Sequence, residues 1–188
     1  MALTIDDALA RATGQHQLLY NLIARLIRTE EYLPALMLLY AAIDGAAWLA
    51  ELQGPNATNG KQFKTYVAKY VLRGREKITP DDLWGARCGI LHTQTPTSDH
   101  SKKNKANEIH YDLRIGKGLG QTLRPRPQAS HVVNPVGLLT KWFSGWQRCA
   151  KDLKADASRH AAFIAKVEHL MEVVNLPRIP VLIKKRSI

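Results

Sequence analysis

The sequence predicts a mainly α-helical bundle of about five to six helices, with a small β-hairpin inserted after the helix that spans residues 79–95. Three observations carry this. Apolar residues recur every three or four positions through most of the chain, the spacing that lays one stripe along a helix. Capping signals precede several of those stripes. A single run, Glu108 to Ile115, alternates with a period of two, as a strand with one wet side does.

In chain order, Thr4-Ile5-Asp6-Asp7 forms a capping box that opens a short first helix, and Gly14 is read as interrupting it. Leu18, Leu19, Leu22, Ile23, Leu26 and Ile27 then make an amphipathic stripe. Pro34 suits the first turn of the next helix, apolar nearly all round from Leu36 to Leu49 and so expected at the centre. Gly54-Pro55-Asn56 is expected to end it. Phe63, Tyr66, Val67, Tyr70 and Val71 mark a third helix closed by Gly74. Thr79-Pro80-Asp81-Asp82 is the clearest start of all: a capping hydroxyl, proline at the first helical position and two acids at the positive end of the dipole. That helix runs through Leu83, Trp84, Arg87 and Leu91 toward Pro96.

Residues 95–134 form the insertion. Lys102, Lys103 and Lys105 lie in a polar loop, Ile109, Tyr111, Leu113 and Ile115 face one side of a strand, Ser130 to Val133 is the return strand, and the glycines at 116, 118 and 120 belong to the hairpin loop. A phosphate-binding loop is the sharper reading of those glycines, but no helix start with Lys-Ser or Lys-Thr follows them. Asn134-Pro135 opens a long helix with Leu138, Leu139, Trp142, Phe143, Trp146, Cys149, Ala150 and Leu153 on its apolar face. A last helix carries Phe163, Val167, Leu170, Met171 and Val174. Residues 1–176 thus read as one helical domain and residues 177–188 as a basic C-terminal tail with Lys184-Lys185-Arg186.

Composition narrows the function classes. With 188 residues, 45% of them hydrophobic, the chain supports one domain with a full core. The longest apolar stretch, Ala35 to Ala50, is broken by Asp44 and falls short of an uncharged membrane span. Asp6 and Asp7 stand where a secretory leader carries basic residues, so a cytoplasmic location is expected and the Asn56-Ala57-Thr58 sequon is a chance match. Cys88 and Cys149 read as reduced, buried thiols, with no structural disulfide and Cys88 weighed and set aside as a nucleophile. A net charge of +11 attracts polyanions, nucleic acid first among them. The competing reading is a basic surface that is merely solvated.

Chemistry concentrates in Arg87-Cys88-Gly89-Ile90-Leu91-His92. Spacing alone says little, since Arg11 to His16 and Arg126 to His131 repeat the interval. The first of these is read as lying across a helix break at Gly14, and the second contains Pro127. Only Arg87 and His92 sit on a strongly capped helix. Histidine exchanges protons near neutrality, and arginine holds a phosphate with two parallel hydrogen bonds. Five residues of α-helix turn about 140° and rise about 7.5 Å, so a straight helix does not aim both groups at one point. Either the helix distorts or ends before His92, or two copies meet across a dimer. Asp44, the one charge in the most apolar helix, is expected to pair with Arg87 and orient it, with solvent or a backbone group as the other reading. Glu108, His110 and Asp112 share a strand face, which ordinary solvation explains better than metal binding, and the four tryptophans read as core.

These residues, in this order, resemble the HEPN superfamily of helical bundles. Its signature is an arginine followed after four to six residues by histidine. The likeness covers about residues 30 to 95: Ala42-Ile43-Asp44-Gly45-Ala46-Ala47-Trp48-Leu49, the aromatic helix from Phe63 to Tyr70, and Asp82-Leu83-Trp84-Gly85-Ala86 leading into the motif. Gln94 stands where toxins silenced by a nucleotidyltransferase antitoxin carry tyrosine, and Cys88 where nucleases of the family carry a polar residue. The resemblance implies a homodimeric, metal-independent endoribonuclease with no cofactor, in which the substrate's 2′-hydroxyl attacks the adjacent phosphate. Arg87 and His92 are its implied catalytic residues and Asp44 supports them. A toxin or phage-defence role follows, with RNA as substrate and a cognate antitoxin or defence-system protein as partner. The alternative is a non-catalytic HEPN-like module that binds RNA or protein.

Overall fold

The computed structural model describes residues 3–51, 58–74, 77–95, 98–103, 105–112 and 130–174. They form a mainly helical bundle. Helix α1 spans Ile5–Arg28 and α2 spans Tyr32–Ala50; α3 covers Gly60–Tyr66 and continues as a π turn, Val67–Leu72. Helix α4, Pro80–Cys88, likewise continues as a π turn, Gly89–Thr93. A single turn, α5 (Asp99–Lys102), precedes strand β1 (Glu108–Tyr111). Strand β2 (Ser130–Val133) then leads into α6 (Pro135–Ala155), and α7 (His160–Val174) follows a short 3₁₀ turn.

Helix α2 is the central element, packed by α1, α3, α6 and α7. Its buried residues, among them Leu39, Tyr40, Ile43 and Ala46, lie around most of its circumference. At 19 residues and a mean hydropathy of 1.6 it is long and apolar enough to cross a membrane, because it begins at Tyr32, before the apolar stretch legible in the sequence. Half of that window is buried inside the bundle, as in the core helix of a globular domain. Trp142 and Trp146 of α6 are fully buried, each contributing on the order of 5 kcal/mol by area before the entropy of fixing it is subtracted.

Several expectations are corrected. Helix α1 runs unbroken through Gly14, which is exposed with nothing near its missing side chain. A glycine inside a helix costs about 1 kcal/mol relative to alanine, and burial of Ala8 and Ala12 before it and of Ile23 and Ile27 after it outweighs that. Continuity also fixes the buried face. It passes through Ala8, Ala12, His16, Ile23 and Ile27, and at 100° per residue it leaves Leu18 and Leu22 pointing away; they are 69% and 44% exposed.

The strand pair is not a hairpin. Glu108 pairs with Ser130 and Tyr111 with Val133, so β1 and β2 run parallel. Antiparallel hairpins close with a few residues, whereas parallel strands need a connection of a dozen or more, and the segment from 112 to 129 is long enough for one. Strand β1 also stops at Tyr111; Leu113, Ile115, Gly116, Gly118 and Gly120 lie outside the described residues, as do Gly54, Pro55, Asn56, Pro96 and the 177–188 tail. Part of the supposed polar loop is the α5 turn, capped by Ser98.

Two contacts tie the strands to the helices. The hydroxyls of Tyr40 and Tyr111 are 2.5 Å apart. Asp82, only 1% exposed, accepts from the backbone N–H of Asn107 at 2.6 Å and of Thr79 at 2.8 Å. The two acids at the start of α4 therefore do different work: Asp82 anchors the strand entry, while Asp81 pairs with Lys64 at 2.9 Å on the surface.

Candidate functional site

The π turn after α4 decides the geometry of the motif. A π turn bonds each residue to the fifth beyond it rather than the fourth, so positions five apart stack along the axis instead of diverging by 140°. Over Gly89–Thr93 this brings His92 over Arg87, and one N–H-bearing nitrogen of the guanidinium, Nη1, lies 3.3 Å from His92 Nε2. Arginine offers only donors, so the contact requires the lone pair on Nε2. The turn ends at Gln94, whose φ of 56° lies in the left-handed region.

Arg87 is held from below. Its Nε donates to Asp44 Oδ2 at 2.9 Å and its Nη2 lies 2.8 Å from the same oxygen, joining α4 to the central helix α2. The side chains of Arg87 and Asp44 are 18% and 16% exposed, so the pair is shielded from solvent screening. Burial pushes the Asp44 carboxyl above its usual range, and the Arg87 guanidinium opposes that rise. Asp44 Oδ1 is buried without a hydrogen-bond partner among the described residues. The Thr58 hydroxyl donates to the Asp44 carbonyl at 2.9 Å, fastening the start of α3 to the same turn of α2.

Trp84 completes the setting. The Arg87 guanidinium carbon lies 4.9 Å from the centre of its ring, a cation–π contact made possible by their three-residue separation on α4. The tryptophan edge in turn abuts Gly60, where an added Cβ would approach it to 3.0 Å. Reading all four tryptophans as core overlooked this second use of Trp84. Its signal was available in the sequence as Trp84-x-x-Arg87.

Arg87 is thus half-buried and oriented while His92 is exposed. Three of the five guanidinium N–H groups are directed at Asp44 and His92 and the Cys88 sulfur also draws on the guanidinium, so at most two remain for an incoming oxyanion. Cys88, also half-buried, has its thiol pushed up by burial, against the effect of neighbouring Arg87, which disfavours a thiolate nucleophile. Cys149 is buried with its thiol pushed up to about 12, and both cysteines are free.

The other two intervals of the same length behave differently. His16 is 5% exposed and stacks on Trp146 with ring centres 4.0 Å apart, whereas Arg11 faces solvent. Gly14 does not break the helix there. The regular α geometry itself separates the two side chains. Arg126 lies outside the described residues, and His131 Nε2 is 3.5 Å from Asp82. His110 lies 3.6 Å from Glu108 on β1, and among the described residues no group of three or more His, Cys, Asp or Glu is placed to hold a metal ion.

Compared with known proteins, the chain matches no family model, no curated sequence and no solved structure.

Proposed function

We propose that the protein is a HEPN-type, metal-independent endoribonuclease acting in the cytoplasm as a homodimer, in a toxin or phage-defence setting with a cognate antitoxin or defence-system protein as partner. The observation that carries this reading is the contact between Arg87 and His92 at an accessible end of α4, with Asp44 fixing the arginine from the core. In the reaction, the guanidinium donates its remaining N–H groups to a phosphodiester oxygen and stabilises the charge that builds there. As the phosphate draws the guanidinium toward itself, the Nε2 lone pair of His92 is released from Arg87 and takes the proton of the 2′-hydroxyl. The 2′ oxygen forms a bond to phosphorus, the bond to the 5′ oxygen breaks, and that oxygen takes a proton from solvent, leaving a 2′,3′-cyclic phosphate and a 5′-hydroxyl. Asp44 acts as a positioning residue. The net charge of +11 favours accumulation of an RNA substrate. Because the π turn gathers both side chains within one chain, the geometry of the motif does not itself require a second copy; the homodimer rests on the family resemblance.

Purified protein in EDTA is expected to cut structured RNA to cyclic-phosphate ends, and His92→Ala to lower cleavage at least about 100-fold while the protein stays folded. A folded wild type that leaves varied RNAs intact, yet binds them in a salt-sensitive manner that His92→Ala does not change, overturns catalysis in favour of a binding module.

A further inference from the structure

A second basic site lies at the far end of α3 from Asp44 and Arg87. There the π turn Val67–Leu72 packs against α6 and leaves a cleft of about 300 Å³ lined by Val71, Leu72, Arg73, Thr140, Lys141, Ser144 and Arg148, with no acidic side chain among the described lining residues. We propose that this cleft binds a phosphate group, with Arg73, Lys141 and Arg148 as its cationic walls.

The cleft is built rather than incidental. Gly145 lets α6 approach the π turn closely, since a Cβ there would lie 2.8 Å from the Tyr70 carbonyl oxygen. That same carbonyl accepts a hydrogen bond from Nη2 of Arg148, which fixes the guanidinium in place. Arg148 Nε is buried and has no acceptor among the described residues, a donor of the kind that native structures rarely leave unmet. Asp152, one turn further along the same helix, is already engaged by Lys69 at 2.9 Å and by the Tyr70 hydroxyl at 2.8 Å. Arg73 enters from the other side at a left-handed position, φ 58°, where the chain leaves the π turn. Three cations from two elements, one of them pre-oriented, thus line a cleft of mixed polar and apolar walls, a setting in which their N–H groups can hold a tetrahedral oxyanion. This proposal is independent of RNA cleavage at Arg87 and His92, because a phosphate can occupy the cleft whether or not that pair is catalytic.

The probe is inorganic pyrophosphate, titrated into the full-length protein while backbone amide resonances are followed. Saturable shifts at Ser144, Gly145 and Arg148 are expected. Arg73→Gln combined with Lys141→Gln should weaken the affinity at least tenfold, while Arg25→Gln combined with Arg28→Gln, which removes the same charge from an exposed face of α1, should leave it unchanged. Because the tested side chains are exposed or only half-buried, the fold survives both changes. A short oligoribonucleotide added next assigns the source: competition places an RNA backbone phosphate in the cleft, and its absence assigns a free phosphorylated small molecule. Non-saturating shifts, shifts centred on Arg87, or equal weakening by both double variants would overturn the site.

Discussion

Arg11 and His16 are separated by the same interval as Arg87 and His92, and the two pairs end in opposite situations. Along regular α-helix, Arg11 points to water and His16 into the core against Trp146. Across a π turn, Arg87 and His92 touch at 3.3 Å. Spacing therefore does not make a site. The extra residue in the turn brings the two side chains together, by changing the rotation that separates them.

The largest test of this contrast is catalytic. His92→Ala should lower RNA cleavage about 10²- to 10⁴-fold, the usual worth of a proton-transfer group, without moving the thermal midpoint. His16→Ala should lower the midpoint and leave cleavage per folded molecule intact. Gel assays for cyclic-phosphate product and thermal melts of both variants decide it.

Stability should separate the two arginines next. Arg87→Ala strands a buried carboxylate and should cost about 3 kcal/mol in urea titrations at pH 7, while Arg11→Ala leaves the urea midpoint where it was. Asp44→Asn, which removes the charge that burial disfavours, should cost about 1 kcal/mol. A cost for Asp44→Asn equal to that of Arg87→Ala would break the assignment of the aspartate as the desolvated partner.

A further effect concerns pH. Burial pushes His16 down to about 4, against a hydrogen bond from Nδ1 to the Ala12 carbonyl that favours the charged ring. The folded-state value is depressed, so the stability it contributes is fully present above the unfolded value near 6.5 and is lost as pH falls toward 4. Between pH 7 and pH 5 the loss from this group is about 2 kcal/mol. His16→Phe, which keeps a ring against Trp146, should remove that slope in paired urea titrations at the two pH values, leaving only the carboxylate contribution common to both proteins.

Much of the frame was legible because it depends on local chemistry. Thr4 with Asp7 and Thr79 with Asp82 form reciprocal caps as their spacing implies, and the apolar circumference of α2 marked it as central. The partnership of Asp44 with Arg87 could be inferred too, since a lone carboxylate in that helix has to be neutralised. Less legible were features set by competition between distant segments. Gly14 looked like a break because local propensity counts against it, yet packing of both halves of α1 outweighed that cost. Leu18 and Leu22 looked buried because the stripe was read from the second half of the helix alone. Strand direction was equally invisible, as a period of two marks a strand and says nothing about which way its neighbour runs.

By itself the sequence determined the helical class, the caps, the central helix and the three residues of the candidate site, since each follows from the chemistry of a side chain and its near neighbours along the chain. Only the tertiary structure decided that α4 ends in a π turn, that Trp84 backs Arg87, that Asp82 holds the strands, and that Gly145 lets α6 close on Tyr70. Those outcomes depend on which surfaces meet, and the meeting is settled by packing among residues far apart in the chain.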